Sequence, residues 1–74
     1  MKYIVIELQT DASGNVANIV TSHETRNEAE SKYHQVLASA AVSTLPKHAA
    51  ALLNEEGYAL EGHCYAHGQE EAGE

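Results

Sequence analysis

The sequence contains neither tryptophan nor phenylalanine, and it has a single cysteine, a single proline and four basic residues. Each scarcity removes a class of function. Without tryptophan and phenylalanine, base stacking or ligand clamping falls to four tyrosines. One cysteine cannot close an internal disulfide, so the chain is no secreted disulfide scaffold, and a cytoplasmic setting is expected. Lys2, Arg26, Lys32 and Lys47 are scattered among 11 acidic residues, for a formal net charge of −7. Phosphate backbones are bound by clustered Lys and Arg, so no direct nucleic acid binding is expected. The opening MKYIVIELQT is too short for a signal sequence and is interrupted by Glu7, and no stretch approaches a membrane span.

At 74 residues there is room for one domain. A chain this short buries only about 60% of the surface its unfolded form exposes. Such domains usually need a staple, and with no disulfide available that means a metal, a partner or a very good core.

Residues 2–8, KYIVIEL, are β-branched and aromatic and read as a strand. TDASGN follows as a turn in which Gly14 supplies a positive φ, and residues 16–23, VANIVTSH, form the second arm of a hairpin. Residues 25–42 read as a helix. Thr25 and Glu28 fit a capping box, while Ala29, Tyr33, Val36, Leu37, Ala40 and Ala41 recur at helical spacing as one apolar stripe. Glu28 and Lys32, four apart, can pair on the wet face. Pro46 ends this segment. Residues 48–65 admit two readings. HAAALLNEE favours helix by propensity, whereas NEEG looks like a turn and YALEGHCY alternates. The second hairpin is preferred.

The expected fold is therefore α+β, in the order β-β-α-β-β. A four-stranded, mainly antiparallel sheet in strand order 2-1-3-4 carries one helix packed on one face. Residues 1–67 make a single α+β domain, and 68–74, acidic and without an apolar anchor, make a disordered tail.

HCYAH, residues 63–67, contains metal-ligand residue types. On a helix, His63 and His67 at i, i+4 would converge on one ion. On a strand they lie about 13 Å apart, with Cys64 on the opposite face. The strand reading leaves no chelate and makes Cys64 a small buried hydrophobe on the face of Tyr58 and Leu60. The five histidines are read as ordinary surface residues rather than a pH switch. No glycine-rich phosphate loop occurs, and Ser, His and acidic residues fall into no recognised catalytic arrangement. Small tautomerases of similar size use a proline directly after the start methionine, where Lys2 stands here. Glu55 and Glu56 read as solvated turn residues. The chain is expected to be non-enzymatic, with no catalytic residue, cofactor or metal.

The opening MKYIVIELQTDASGNVANIV, the helix NEAESKYHQVLASAAVS and the closing LPKHAAALLNEEGYALEGHCYAH resemble short uncharacterised proteins carried by bacterial phages and mobile elements. The resemblance spans nearly the whole chain apart from the tail. It implies a stand-alone cytoplasmic domain and supports strands over 48–66. It brings no activity and no site residues.

Every strand shows apolar residues on both faces, yet only one helix is available to cover them. The second face, expected to carry Val5, Ile19, Ala51, Leu53 and Tyr65, then marks an interface. The expected function is a small protein-interaction or structural module acting as a homodimer, with an unidentified protein partner also open. The alternative is an acidic, DNA-mimic-like inhibitor of a nucleic-acid-binding protein.

Overall fold

A computed structural model describes residues 1–67. The expected tail over 68–74 lies outside the described residues. The elements are β1 (Tyr3–Thr10), β2 (Val16–His23), α1 (Arg26–Ala41), β3 (Lys47–Asn54) and β4 (Ala59–Ala66). All neighbouring strands are antiparallel, and their order in the sheet is β2-β1-β3-β4. The fold is α+β, as the sequence implies.

Both hairpins close on the same turn. Gly14 N–H donates to the Asp11 carbonyl and Gly57 N–H to the Asn54 carbonyl, each at 3.0 Å. Both glycines have positive φ, +88° and +92°. That is a type I turn followed by a left-handed residue, the usual three-residue hairpin loop. An acidic or amide side chain opens each turn. Asp11 Oδ1 accepts from the N–H groups of Ser13 and Asn15, both at 2.9 Å. Asn54 Oδ1 accepts from Glu56 at 3.0 Å and Tyr58 at 3.1 Å. Glu55 and Glu56 are exposed turn residues.

The helix starts where the sequence places it. Thr25, in extended backbone, accepts the Glu28 N–H on its hydroxyl at 3.2 Å. The i, i+4 ion pair on its wet face is Arg26 with Glu30, at 3.0 Å, rather than the expected Glu28 with Lys32. Lys32 is half-buried and lies near enough to the Glu7 carboxylate to act on its charge.

Val5, Leu52 and Ala50 from the sheet meet Ala29, Tyr33 and Val36 from the helix, with Tyr3, Leu37 and Leu60 at the margin. Ala29, Ala40 and Leu52 are completely buried. The alanines let the helix backbone approach the sheet closely. Ala41, expected on the stripe, is exposed because the packed seam runs through Ala29, Tyr33, Val36 and Ala40.

Strand alternation fixes the faces. Tyr3, Val5 and Glu7 of β1 point to the helix, so Ile4, Ile6 and Leu8 point away. The second hairpin contains an irregularity. Leu52 pairs with Glu61 but Leu53 pairs with Ala59, which leaves Leu60 unpaired as a bulge. A bulge turns two consecutive side chains to one side, so Leu60 and Glu61 both reach the helix face. The strict alternation expected for Tyr58, Leu60, Gly62 and Cys64 is broken there. Cys64 sits on the opposite face and is exposed, not buried.

Leu37→Ala and Leu52→Ala separate margin from centre. Leu52→Ala should lower the unfolding free energy by about 2–5 kcal/mol, and half-buried Leu37→Ala by less. Urea denaturation of the two variants checks the ranking, and an equal loss would contradict this core.

Candidate functional site

Among the described residues there is no enclosed pocket. Function must then be read from three polar clusters and one bare sheet face.

HCYAH is a strand end with a defined structural task. His67 Nε2 lies 2.8 Å from the Ala40 carbonyl and donates to it, while the His67 backbone N–H donates to the Pro46 carbonyl at 2.7 Å. An imidazole from beyond β4 thus adds a second donor to a carbonyl that already accepts the Ser43 N–H at 3.2 Å, in a last helical turn that contains no basic residue. Tyr65 stands between the two imidazoles. Its ring meets His63 edge-on at 4.5 Å and stacks on His67 at 6.2 Å. His63, Tyr65 and His67 form a ladder on the helix face, and Cys64 points the other way.

Glu30, His34 and Glu61 bring one ligand atom each within 4.8 Å of one another. Glu30 and His34 are one helical turn apart, and the bulge at Leu60 delivers Glu61. Arg26 already occupies the position of a cation here: its Nε lies 3.0 Å from Glu30 and its Nη2 3.7 Å from Glu61. The hydrogen bond from Arg26 heads the causes that hold the Glu30 carboxyl below its usual value. The cluster is an exposed ion-pair network tying the start of the helix to β4. The i, i+4 spacing of Glu30 and His34 is visible in the sequence; the approach of Glu61 depends on the bulge and is not.

Glu7 and His48 face the helix from adjacent strands. His48 is 5% exposed, and its Nε2–H donates to Glu7 Oε2 at 2.6 Å. Gln9 Nε2 donates to the same oxygen at 2.9 Å. His48 Nδ1 is buried with no partner among the described residues. Burial pushes the Glu7 carboxyl upward. The hydrogen bonds from Gln9 and His48, with the positive charge of His48 and Lys32, outweigh it and hold the carboxyl below its ordinary 4.5.

Among the described residues nothing covers the sheet face away from the helix. Its outward positions are Ile4, Ile6, Leu8 and Thr10 on β1; Val16, Asn18, Val20 and Ser22 on β2; Lys47, Ala49, Ala51 and Leu53 on β3; and Ala59, Gly62, Cys64 and Ala66 on β4. Lys47, at one corner, is the single charged residue of the sixteen. Thr10, Asn18 and Ser22 are the other polar side chains, and all stand at the rim. Leu8, Val16 and Val20 are 39%, 59% and 57% exposed.

Of the five residues expected on this face, Ala51 and Leu53 lie there. Val5 does not: it is 1% exposed beneath the helix, because β1 turns its odd-numbered side chains to α1. Ile19 and Tyr65 also lie on the helix side. Ile19 is nevertheless 48% exposed. A helix about 10 Å across cannot cover four strands spaced about 4.8 Å apart, and α1 sits mainly over β3 and β1. Ile4, Ile6, Leu8 and Val20 take the places of Val5, Ile19 and Tyr65. The alternation of β1 showed both sets; which set met the helix depended on tertiary packing.

No family model matches the chain, and neither a curated protein nor a solved structure is found to be similar to it.

The Glu7 cluster predicts an acid limb in stability. A carboxyl held low in the folded state stabilises the fold above its ordinary 4.5, and that stability is lost as pH falls through the lower folded value. Urea midpoints measured through this range should drop for the natural chain and drop less steeply for Glu7→Gln. Parallel profiles would remove Glu7 from the account.

Proposed function

We propose that the chain is a small non-enzymatic interaction or structural module that acts as a homodimer through the open face of its sheet. The observation that carries this reading is the composition of that face: an apolar surface whose few polar side chains stand at the rim and whose one charge is in a corner, on a protein of net charge −7. Soluble antiparallel sheets with one wet face alternate to polar residues there. This one does not, and no element among the described residues covers it.

The size of the face fits a second copy. Eight-residue strands at about 3.3 Å per residue, four abreast at about 4.8 Å, present roughly 500 Å² each. Two copies would bury roughly 1,000 Å² in flat projection and more in accessible area, at the threshold for a specific interface. A face that meets its own copy needs no further partner, and two-fold pairing is the commonest closed assembly. Like charges oppose the contact, so screening salt should strengthen it.

The cytoplasmic setting and the phage or mobile-element origin belong to the same proposal. The first rests on the single cysteine, the second on the resemblance. The acidic-inhibitor reading has less to support it: Lys2 pairs with Glu24, Arg26 with Glu30 and Glu61, and Glu7 is held inside the fold.

Sedimentation at micromolar concentration should give a dimer whose dissociation constant falls as salt rises. Ile6→Asp, at the centre of the face and away from the helix, should give a folded monomer. A natural chain that sediments as a stable monomer would defeat the proposal and point to a different protein on this face. So would a dimer indifferent to Ile6→Asp.

A further inference from the structure

The open face is sorted by size across its width. The β1 and β2 half carries Ile4, Ile6, Leu8 and Val20, while the β3 and β4 half carries Ala49, Ala51, Ala59, Gly62, Cys64 and Ala66. The two central rows show the contrast, with Val20 and Ile6 beside Ala51 and Gly62, and Asn18 and Leu8 beside Ala49 and Cys64. Leu53 and, at one corner, Lys47 are the large residues in the small half.

Gly62 is the informative position. Its φ is not positive, and an added Cβ would meet only the Ala50 carbonyl oxygen at 3.7 Å and the Ala51 Cβ at 4.0 Å, ordinary contacts. Neither the backbone nor a neighbour in the same chain calls for glycine there. Glycine inside a strand weakens it and commonly marks a bulge or a close approach by another group; the bulge here is at Leu60, and Gly62 lies beyond it in regular pairing with Ala51.

Resting on the dimer reading, we infer that the two-fold axis runs parallel to the strands, so that β1 of one copy lies over β3 of the other and Val20 seats on the partner's Gly62. Two in-plane axes bring open faces together. An axis across the strands sets β1 on β1: Ile6 meets Leu8 and the alanines face one another over a gap. An axis along the strands reverses the strand order beneath. Ile6 then faces Ala51, Leu8 faces Ala49 and Val20 faces Gly62, each reciprocally, while Ile4 faces Leu53 as the one large pair, in an end row of the face. Large against small is the arrangement that fills the space between packed layers without voids. The ordinary twist of each sheet leaves such aligned sheets within about 30° of one another. On this geometry the sheet edge at Gly62 is a socket for a valine side chain.

Gly62→Val tests the socket. Valine suits a strand and has room within its own chain, so the thermal melt of the dilute monomer should be unchanged or raised. The dimer dissociation constant should rise by at least about tenfold, or about 1.4 kcal/mol. Adding Val20→Ala to Gly62→Val should recover most of that loss. A second readout is independent of packing strength. Asn18→Cys faces the partner's native Cys64 only on the axis along the strands; otherwise the two lie three strand spacings apart, about 14 Å. A bismaleimide too short for that span should give covalent dimers with Asn18→Cys and none with the natural chain. A dimer that Ile6→Asp breaks, but that tolerates Gly62→Val or whose natural chain already cross-links through Cys64, as an axis across the strands would bring about, would overturn the axis while leaving the dimer standing. A monomeric natural chain would overturn both.

Discussion

The structure depends on one contact layer, Val5 and Leu52 of the central strands against Ala29, Tyr33 and Val36 of the helix. With a single helix and four strands, this layer can close only one side. Everything else follows from that limit. The edge strands reach past the helix, so their inward residues Ile19 and His63 remain exposed. The far side of β1 and β3, which a second helix would cover in a larger domain, is left apolar. A chain this small has little surface to give away.

The polar groups on the helix side divide the work of holding that layer in register. At one end Arg26, Glu30, His34 and Glu61 tie the first turns of the helix to the outer strand. At the other, His67 closes the last turn. Between the sheet strands, Glu7, Gln9 and His48 share one carboxylate oxygen. The histidines that look like ligands in a string of letters act here as hydrogen-bond donors and ring spacers.

Much of this was legible in the residues. The hairpin over Tyr3–His23, the helix with its Thr25 cap and the reading of HCYAH as a strand end follow from period, turn chemistry and capping, which are local; the strand order rests on connection rules alone, and no local pattern fixes it. What was not legible is tertiary. The alternation of β1 exposes Ile4, Ile6 and Leu8 on one side and Tyr3 and Val5 on the other, and both sets are apolar enough to face a helix. Only the register with β3 and the seat of α1 choose between them. The bulge at Leu60 shifts the alternation within β4, moving Cys64 to the open side and Glu61 to the helix, and no turn residue announces it. The Glu7 and His48 pair joins positions 41 apart in sequence, with no local pattern to reveal it.

The repeated turn carries a consequence for how the chain reaches this state. Asp11 to Gly14 and Asn54 to Gly57 close two hairpins on the same hydrogen bonds, so each can form from nearby residues alone. Hairpins of this kind form in about 1–10 μs. The seam between them is different: β1 pairs with β3 across a connection that includes all of β2 and the helix, and closing so long a loop is slow because its entropy is lost before its contacts form. Each hairpin is marginal by itself, so both gain their stability when they meet along β1 and β3 and the helix settles over the joint. Until they do, the inner edges of both hairpins are unpaired and apolar on either side. The interval before that seam closes is when the chain is most exposed to pairing with the wrong strand.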